Sequence, residues 1–87
     1  MKLTVYGSAL CPDCVEMERV FAEKKIDYTY VKITESMANL KEFLKIRQDE
    51  DLFAKIRAAG RVGIPFFVFE NGFMTFDLDE ALKTLGA

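Results

Sequence analysis

Cysteine occurs twice in this chain, in the stretch Ser8-Ala9-Leu10-Cys11-Pro12-Asp13-Cys14. What flanks the pair constrains the fold more than any other feature. The apolar run Leu3-Thr4-Val5-Tyr6 precedes it, and a helical pattern, Val15 to Lys25, follows it. The pair therefore stands where a strand hands over to a helix, the setting in which Cys-x-x-Cys reads as a redox motif. Pro12 suits the first helical position, where its missing N–H costs nothing. Cys11 then falls at or beside the N-cap, with its sulfur facing the unpaired amides and positive dipole end of the helix. Those favour a thiolate over a thiol. Cys14 follows one turn later on the same side. This gives asymmetric roles: Cys11 is the exposed nucleophile, and Cys14 is the more buried partner that resolves a mixed disulfide.

Other uses of the pair fit less well. Two buried core cysteines would not be set against a proline at a helix start. A zinc site needs about four ligands, and the chain has no histidine and no third cysteine, so no metal is expected. A structural disulfide across so short a loop would stabilise little.

The 87 residues suffice for one domain spanning 1–87, and a hydrophobic content of 51% supports a packed core. The net charge of −2 is spread along the chain without a basic cluster, which argues against a nucleic-acid partner. No apolar run approaches the roughly 20 residues of a membrane span, and the N-terminus enters a strand pattern without a signal-peptide layout. A cytoplasmic, reducing compartment is the expectation, and there a lone cysteine pair is catalytic more often than structural.

Along the chain, Lys2 to Tyr6 reads as a buried strand and Pro12 to Lys24 as a helix with Val15, Met17, Val20 and Phe21 on its apolar stripe. Asp27 to Ile33 alternates as a second strand whose tyrosines, Tyr28 and Tyr30, are half-buried core. Thr34 or Ser36 caps the next helix, and Met37, Leu40, Phe43 and Leu44 repeat at helical spacing within it. Asp49 is expected to cap a further helix to about Ala59, which Gly60 stops. Phe66 to Phe69 is an apolar strand, Glu70-Asn71-Gly72 a hairpin turn, and Phe73 to Phe76 the return strand. Asp77 and Glu80 form a capping box for the last helix. The order implies a four-stranded mixed sheet with helices on both faces, an α/β fold built on a right-handed crossover and an antiparallel hairpin.

That order, with Cys-x-x-Cys after the first strand and Pro65 opening the third, resembles the thioredoxin superfamily, and glutaredoxins most. Cys11-Pro12-Asp13-Cys14 is similar to their Cys-Pro-Tyr-Cys, Gly63-Ile64-Pro65 to their Thr-Val-Pro, and Asn71-Gly72 to their hairpin turn. The resemblance covers nearly the whole chain. It implies a thioredoxin-like fold and a glutathione-dependent thiol–disulfide oxidoreductase, with Cys11 as nucleophile and Cys14 as its partner. Glutathione would serve as co-substrate, and the substrates would be protein disulfides or glutathionylated proteins. Pro65 would be cis, and the backbone of Ile64 would pair with that of glutathione. The start of the last helix, Asp77 and Leu78, would hold the γ-glutamyl carboxylate on its amides. A side-chain carboxylate there, Asp79 or alternatively Asp77, would meet the γ-glutamyl amine; simple helix capping explains both acids as well. Nothing demands more than a monomer.

The chain also departs from that pattern. Phe76-Asp77 stands where glutaredoxins carry Gly-Gly, and glycines let a ligand backbone approach closely. The usual basic residue ahead of the first cysteine is absent; Lys41, Lys45, Arg47, Arg57 or Arg61 could supply its charge instead. The Ile33–Arg61 region is longer than in small glutaredoxins. Asp13 replaces a tyrosine and opposes a thiolate at Cys11 by no more than about 1 kcal/mol. The lost Gly-Gly leaves open a redoxin reduced by a thioredoxin-reductase-like flavoprotein. A [2Fe–2S] cluster shared between two protomers is a further alternative, which Pro12 disfavours.

Overall fold

A computed structural model describes all residues from Met1 to Ala87. Strand β1 (Leu3–Gly7) is followed by helix α1 (Pro12–Glu23), β2 (Thr29–Lys32) and α2 (Met37–Asp49). A single 3-10 turn (Asp51–Phe53) then leads into α3 (Ala54–Ala58), β3 (Phe66–Phe69), β4 (Met74–Thr75) and α4 (Leu78–Leu85). The strands lie in the order β2-β1-β3-β4. β1 runs parallel to β2, with Val5 opposite Tyr30, and antiparallel to β3, with Val5 opposite Phe67. The mixed sheet and the extended helical region between β2 and β3 are those expected.

The period-2 alternation of the strands sorts side chains onto two faces. Leu3 and Val5 of β1 join Phe67 and Phe69 of β3 on one face, where Met17 and Phe21 of α1 and Ala81 of α4 cover them. Tyr28 and Tyr30 pack half-buried against this layer, as the alternation predicts. On the other face Tyr6 and Phe66 meet Phe43 of α2 and Phe53 of the 3-10 turn. Phe53 is the hub there: its ring stands edge-on to Phe43, Phe66 and Phe76 at 5.8, 4.7 and 4.9 Å. Fully burying such a ring is worth roughly 1.5–3 kcal/mol. The Tyr6 hydroxyl donates to Glu42 Oε2 at 2.6 Å and ties α2 to the central strand.

Several local expectations are corrected. Val15 is half exposed; the buried stripe of α1 is Cys14, Met17 and Phe21. Of the two candidate caps, Ser36 caps α2, its Oγ accepting from Asn39 N–H at 3.0 Å. Thr34 Oγ1 is engaged elsewhere, with Ser8 Oγ at 2.7 Å. Asp49 is the last residue of α2 and caps nothing; Glu50, extended at φ −85° and ψ 129°, breaks the helix and opens the 3-10 turn. The return strand is only Met74–Thr75. The capping box at α4 is replaced as well. Asp77 Oδ1 accepts from Asp79 N–H at 3.1 Å, and Thr75 Oγ1, where Glu80 was expected, accepts from Asp77 N–H at 3.1 Å.

Candidate active site

The parallel β1–α1–β2 unit sets Cys11 at the end of β1's loop. Cys11 N–H donates to Ser8 O at 3.1 Å, and Cys11 O accepts from Val15 N–H at 3.0 Å. That makes Cys11 the N-cap of α1, with extended backbone at φ −100° and ψ 120° and with Pro12 in the first turn. Its side chain makes no cap bond, so the sulfur is left for the opening beside it. Cys11 Sγ makes one long contact across that opening, donating to Ile64 O at 4.0 Å. Leu10, beside it, is 82% exposed.

The opposite wall is built by Val62-Gly63-Ile64-Pro65. The Ile64–Pro65 peptide is cis, as the resemblance implied. Gly63 has φ +92°, and a β-carbon there would lie 2.7 Å from Phe53 Cε1 and 3.0 Å from Ile56 Cγ2. Only glycine lets this wall sit on the aromatic layer beneath it. One arginine fastens it from behind, and a second braces the helix end that carries the first. Arg47 donates to Val62 O at 3.2 Å and to Arg61 O at 2.5 Å. Arg57 donates to Arg47 O at 2.6 Å and Glu50 O at 3.1 Å, closing the joint between α2 and α3.

Between the walls lies a cleft of about 530 Å³. Cys11, Asp13, Ile64 and Pro65 line it, and Phe76, Asp77 and Leu78 close its far end. Five of the residues expected at the site thus meet on one cleft: Cys11, Ile64, Pro65, Asp77 and Leu78. Asp79 is not among the lining residues; it sits one step into α4, where its amide is bonded to Asp77. Of the five basic candidates only Arg61 lines the cleft. Arg47 and Arg57 serve the backbone instead. No group of three or more His, Cys, Asp or Glu side chains is arranged to hold a metal ion, and no helix is long and apolar enough to cross a membrane.

Cys14 lies under this surface, with no exposure at all, and both cysteines are free thiols. Burial pushes the Cys14 thiol up to about 12, against smaller lowerings by the Ser8 backbone amide and the Tyr30 hydroxyl; Cys11 beside it raises it further. The sulfur therefore stays protonated at neutral pH until chemistry at Cys11 draws it in.

The comparisons agree with this architecture. The model of the Glutaredoxin family matches residues 3–72, from β1 through the turn after β3. A protein of Haemophilus influenzae described as an uncharacterized protein is 30% identical over 79 residues, 91% of this chain and 92% of that relative. With the fold, the Cys-Pro-Asp-Cys motif at the helix start and the cis-proline wall facing it, the chain belongs to the glutaredoxin family of thiol oxidoreductases.

Proposed function

We propose that the protein is a dithiol thiol–disulfide oxidoreductase that draws its electrons from glutathione, in the reducing compartment its cysteine usage suggests, the cytoplasm, and acts as a monomer. The observation that carries this reading is one sulfur at a helix N-cap opening onto a cleft, with a second buried one turn behind it.

Cys11 attacks a disulfide sulfur of the substrate. A Cys11–S–S–R bond forms, the substrate's S–S bond breaks, and the other sulfur leaves as a thiol after taking a proton. A second thiol then attacks the adduct, leaving with R as a disulfide and freeing Cys11; or Cys14 attacks it, forming the Cys11–Cys14 disulfide and releasing the bound thiol, after which two glutathione thiols reduce that disulfide and leave as oxidised glutathione. The cleft supplies the complementary surface. The backbone of Ile64 would pair with the γ-glutamyl-cysteinyl backbone, and the first turn of α4 at Asp77 and Leu78 would meet the γ-glutamyl carboxylate. Arg61 would meet the glycine carboxylate.

A flavoprotein-reduced redoxin is the second reading. It is favoured by the start of α4, where the Asp77 carboxylate already accepts from an amide that a carboxylate ligand would use. Phe76 and Asp77 also carry side chains where a ligand backbone would approach. The deciding assay follows reduction of a glutathione mixed disulfide, first with glutathione and glutathione reductase, then with a thioredoxin reductase system. Turnover with glutathione is the expected result; turnover only with the flavoprotein reductase would reject the glutathione route.

A further inference from the structure

One buried side-chain oxygen, the hydroxyl of Tyr30, has no partner at full hydrogen-bond geometry, and the Cys14 sulfur is the group beside it. An unpaired buried hydroxyl costs about 1–3 kcal/mol, and in native proteins such groups call for a functional explanation. Its surroundings supply one. Gly7 ends β1 where a side chain would otherwise project. A β-carbon placed there would lie 2.8 Å from Tyr30 Oη and 3.0 Å from Cys14 Sγ. The phenol and the buried thiol therefore share the space that Gly7 vacates. Ser8, itself 2% exposed, brings its backbone amide to the same sulfur.

We propose that Tyr30 is a hydrogen-bond donor held for the resolving sulfur, its contact with Cys14 tightening into a full hydrogen bond while Cys14 carries negative charge. This rests on the resolving role given to Cys14 above. In the resting protein both groups are protonated: burial raises the Tyr30 hydroxyl, and the neighbouring Cys14, Glu18 and Tyr28 raise it further. Tyr30 is thus a donor and not a base. Lys32, with Nζ 5.7 Å from the centre of the Tyr30 ring, is the one cation near it, and Cys11 is the other ionisable group beside Cys14. In the resolving step Cys14 loses its proton to solvent and attacks Cys11 Sγ. The Cys11–S–S–R bond breaks, the Cys11–Cys14 bond forms, and R leaves as its thiolate. The anion on Cys14 exists only on the way through, and during that interval Tyr30 O–H and Ser8 N–H face it. A donor aimed at transient charge lowers a barrier without stabilising the resting state.

The test uses the full chain and its Tyr30→Phe variant, which keeps the ring and removes one oxygen. With one equivalent of 5,5′-dithiobis(2-nitrobenzoate), Cys11 expels a first nitrothiobenzoate at a rate set by reagent concentration. Cys14 expels the second at a rate independent of it. Loss of a hydrogen bond to a charged sulfur makes the Cys14 thiolate about tenfold rarer. Each remaining thiolate is about threefold more nucleophilic, because exchange rates rise with thiol basicity. Tyr30→Phe is therefore expected to slow the second phase about threefold at pH 7 and to displace its pH–rate profile toward higher pH. The first phase and the dithiol–disulfide equilibrium with glutathione at pH 7, where Cys14 and Tyr30 are both neutral, are expected to hold. An unchanged second phase overturns the proposal. So does a shift of that equilibrium or a slower first phase, since either marks a merely structural effect. If the native chain shows no second phase, the resolving role of Cys14 fails, and this inference fails with it.

Discussion

Cys11 and Cys14 are the same side chain three positions apart, and the fold treats them in opposite ways. Cys11 caps a helix without its sulfur bonding the cap amides, and it faces a cleft. Cys14, one turn on, is sealed under α1 against Gly7 of β1 and Tyr30 of β2, protonated and without exposure. Both lie on one side of α1, but Cys11 stands at the open N-terminal end of the helix and Cys14 one turn further in, against the sheet. Reactivity is thus a matter of position in a helix turn and not of residue type.

The largest effect that can break this contrast comes from serine at each position. Cys11→Ser is expected to abolish thiol exchange altogether, whereas Cys14→Ser keeps most activity toward glutathione mixed disulfides and loses activity toward protein disulfides. Steady-state assays on both substrates check this. Equal loss in the two variants would mean that the buried sulfur is obligatory and that the asymmetry is only one of burial.

A smaller effect tests the wall that keeps Cys11 exposed to ligand. Gly63→Ala puts a methyl group against Phe53 at a positive φ, and is expected to cost about 1–3 kcal/mol in urea unfolding. An unchanged midpoint would mean that the wall yields without cost.

The smallest effect sharpens the contrast through pH. The folded Cys14 thiol is raised from 9.0 to about 12. Below pH 9 both folded and unfolded chains hold that proton, so its contribution to stability is complete. Between pH 9 and about 12 the unfolded chain gives the proton up while the folded one retains it, so stability falls as pH rises. The buried Tyr6, Tyr28 and Tyr30, raised above their ordinary 10.0, join with the same sign at higher pH. Denaturant titrations of Cys14→Ala should therefore show a flatter profile between pH 9 and 10, where the thiol acts ahead of the tyrosines. A profile as steep as that of the native chain would place Cys14 in a wetter setting than the fold implies.

Much of this was legible from residue order. The apolar runs Leu3–Tyr6 and Phe66–Phe69, the proline at a helix start and the Asn71-Gly72 turn each carry a local physical signal, and together they place both cysteines correctly. What was not legible depends on contacts remote in the chain. Val15 looks as apolar as Met17, but only packing decides which faces the sheet. Asp49 has the chemistry of a cap, yet α2 runs through it because Glu50 is where the chain turns extended. Arg61 could not be separated from four other basic residues until the Arg47 and Arg57 side chains were seen bonded to carbonyls. The tie between Tyr30 and Cys14 runs through the missing side chain of Gly7, and no spacing rule announces it.

Those arginine–carbonyl bonds have a consequence for the working range of the protein. They join a cation to backbone dipoles and not to carboxylates, so no acid has to be ionised for them to hold. Attraction between a charge and a touching dipole also falls off too quickly with distance for dissolved ions to screen it much. The flank that carries the cis-proline should accordingly keep its shape in mild acid and in brine, while the exposed Glu16–Arg19–Glu23 ladder on α1 weakens in both.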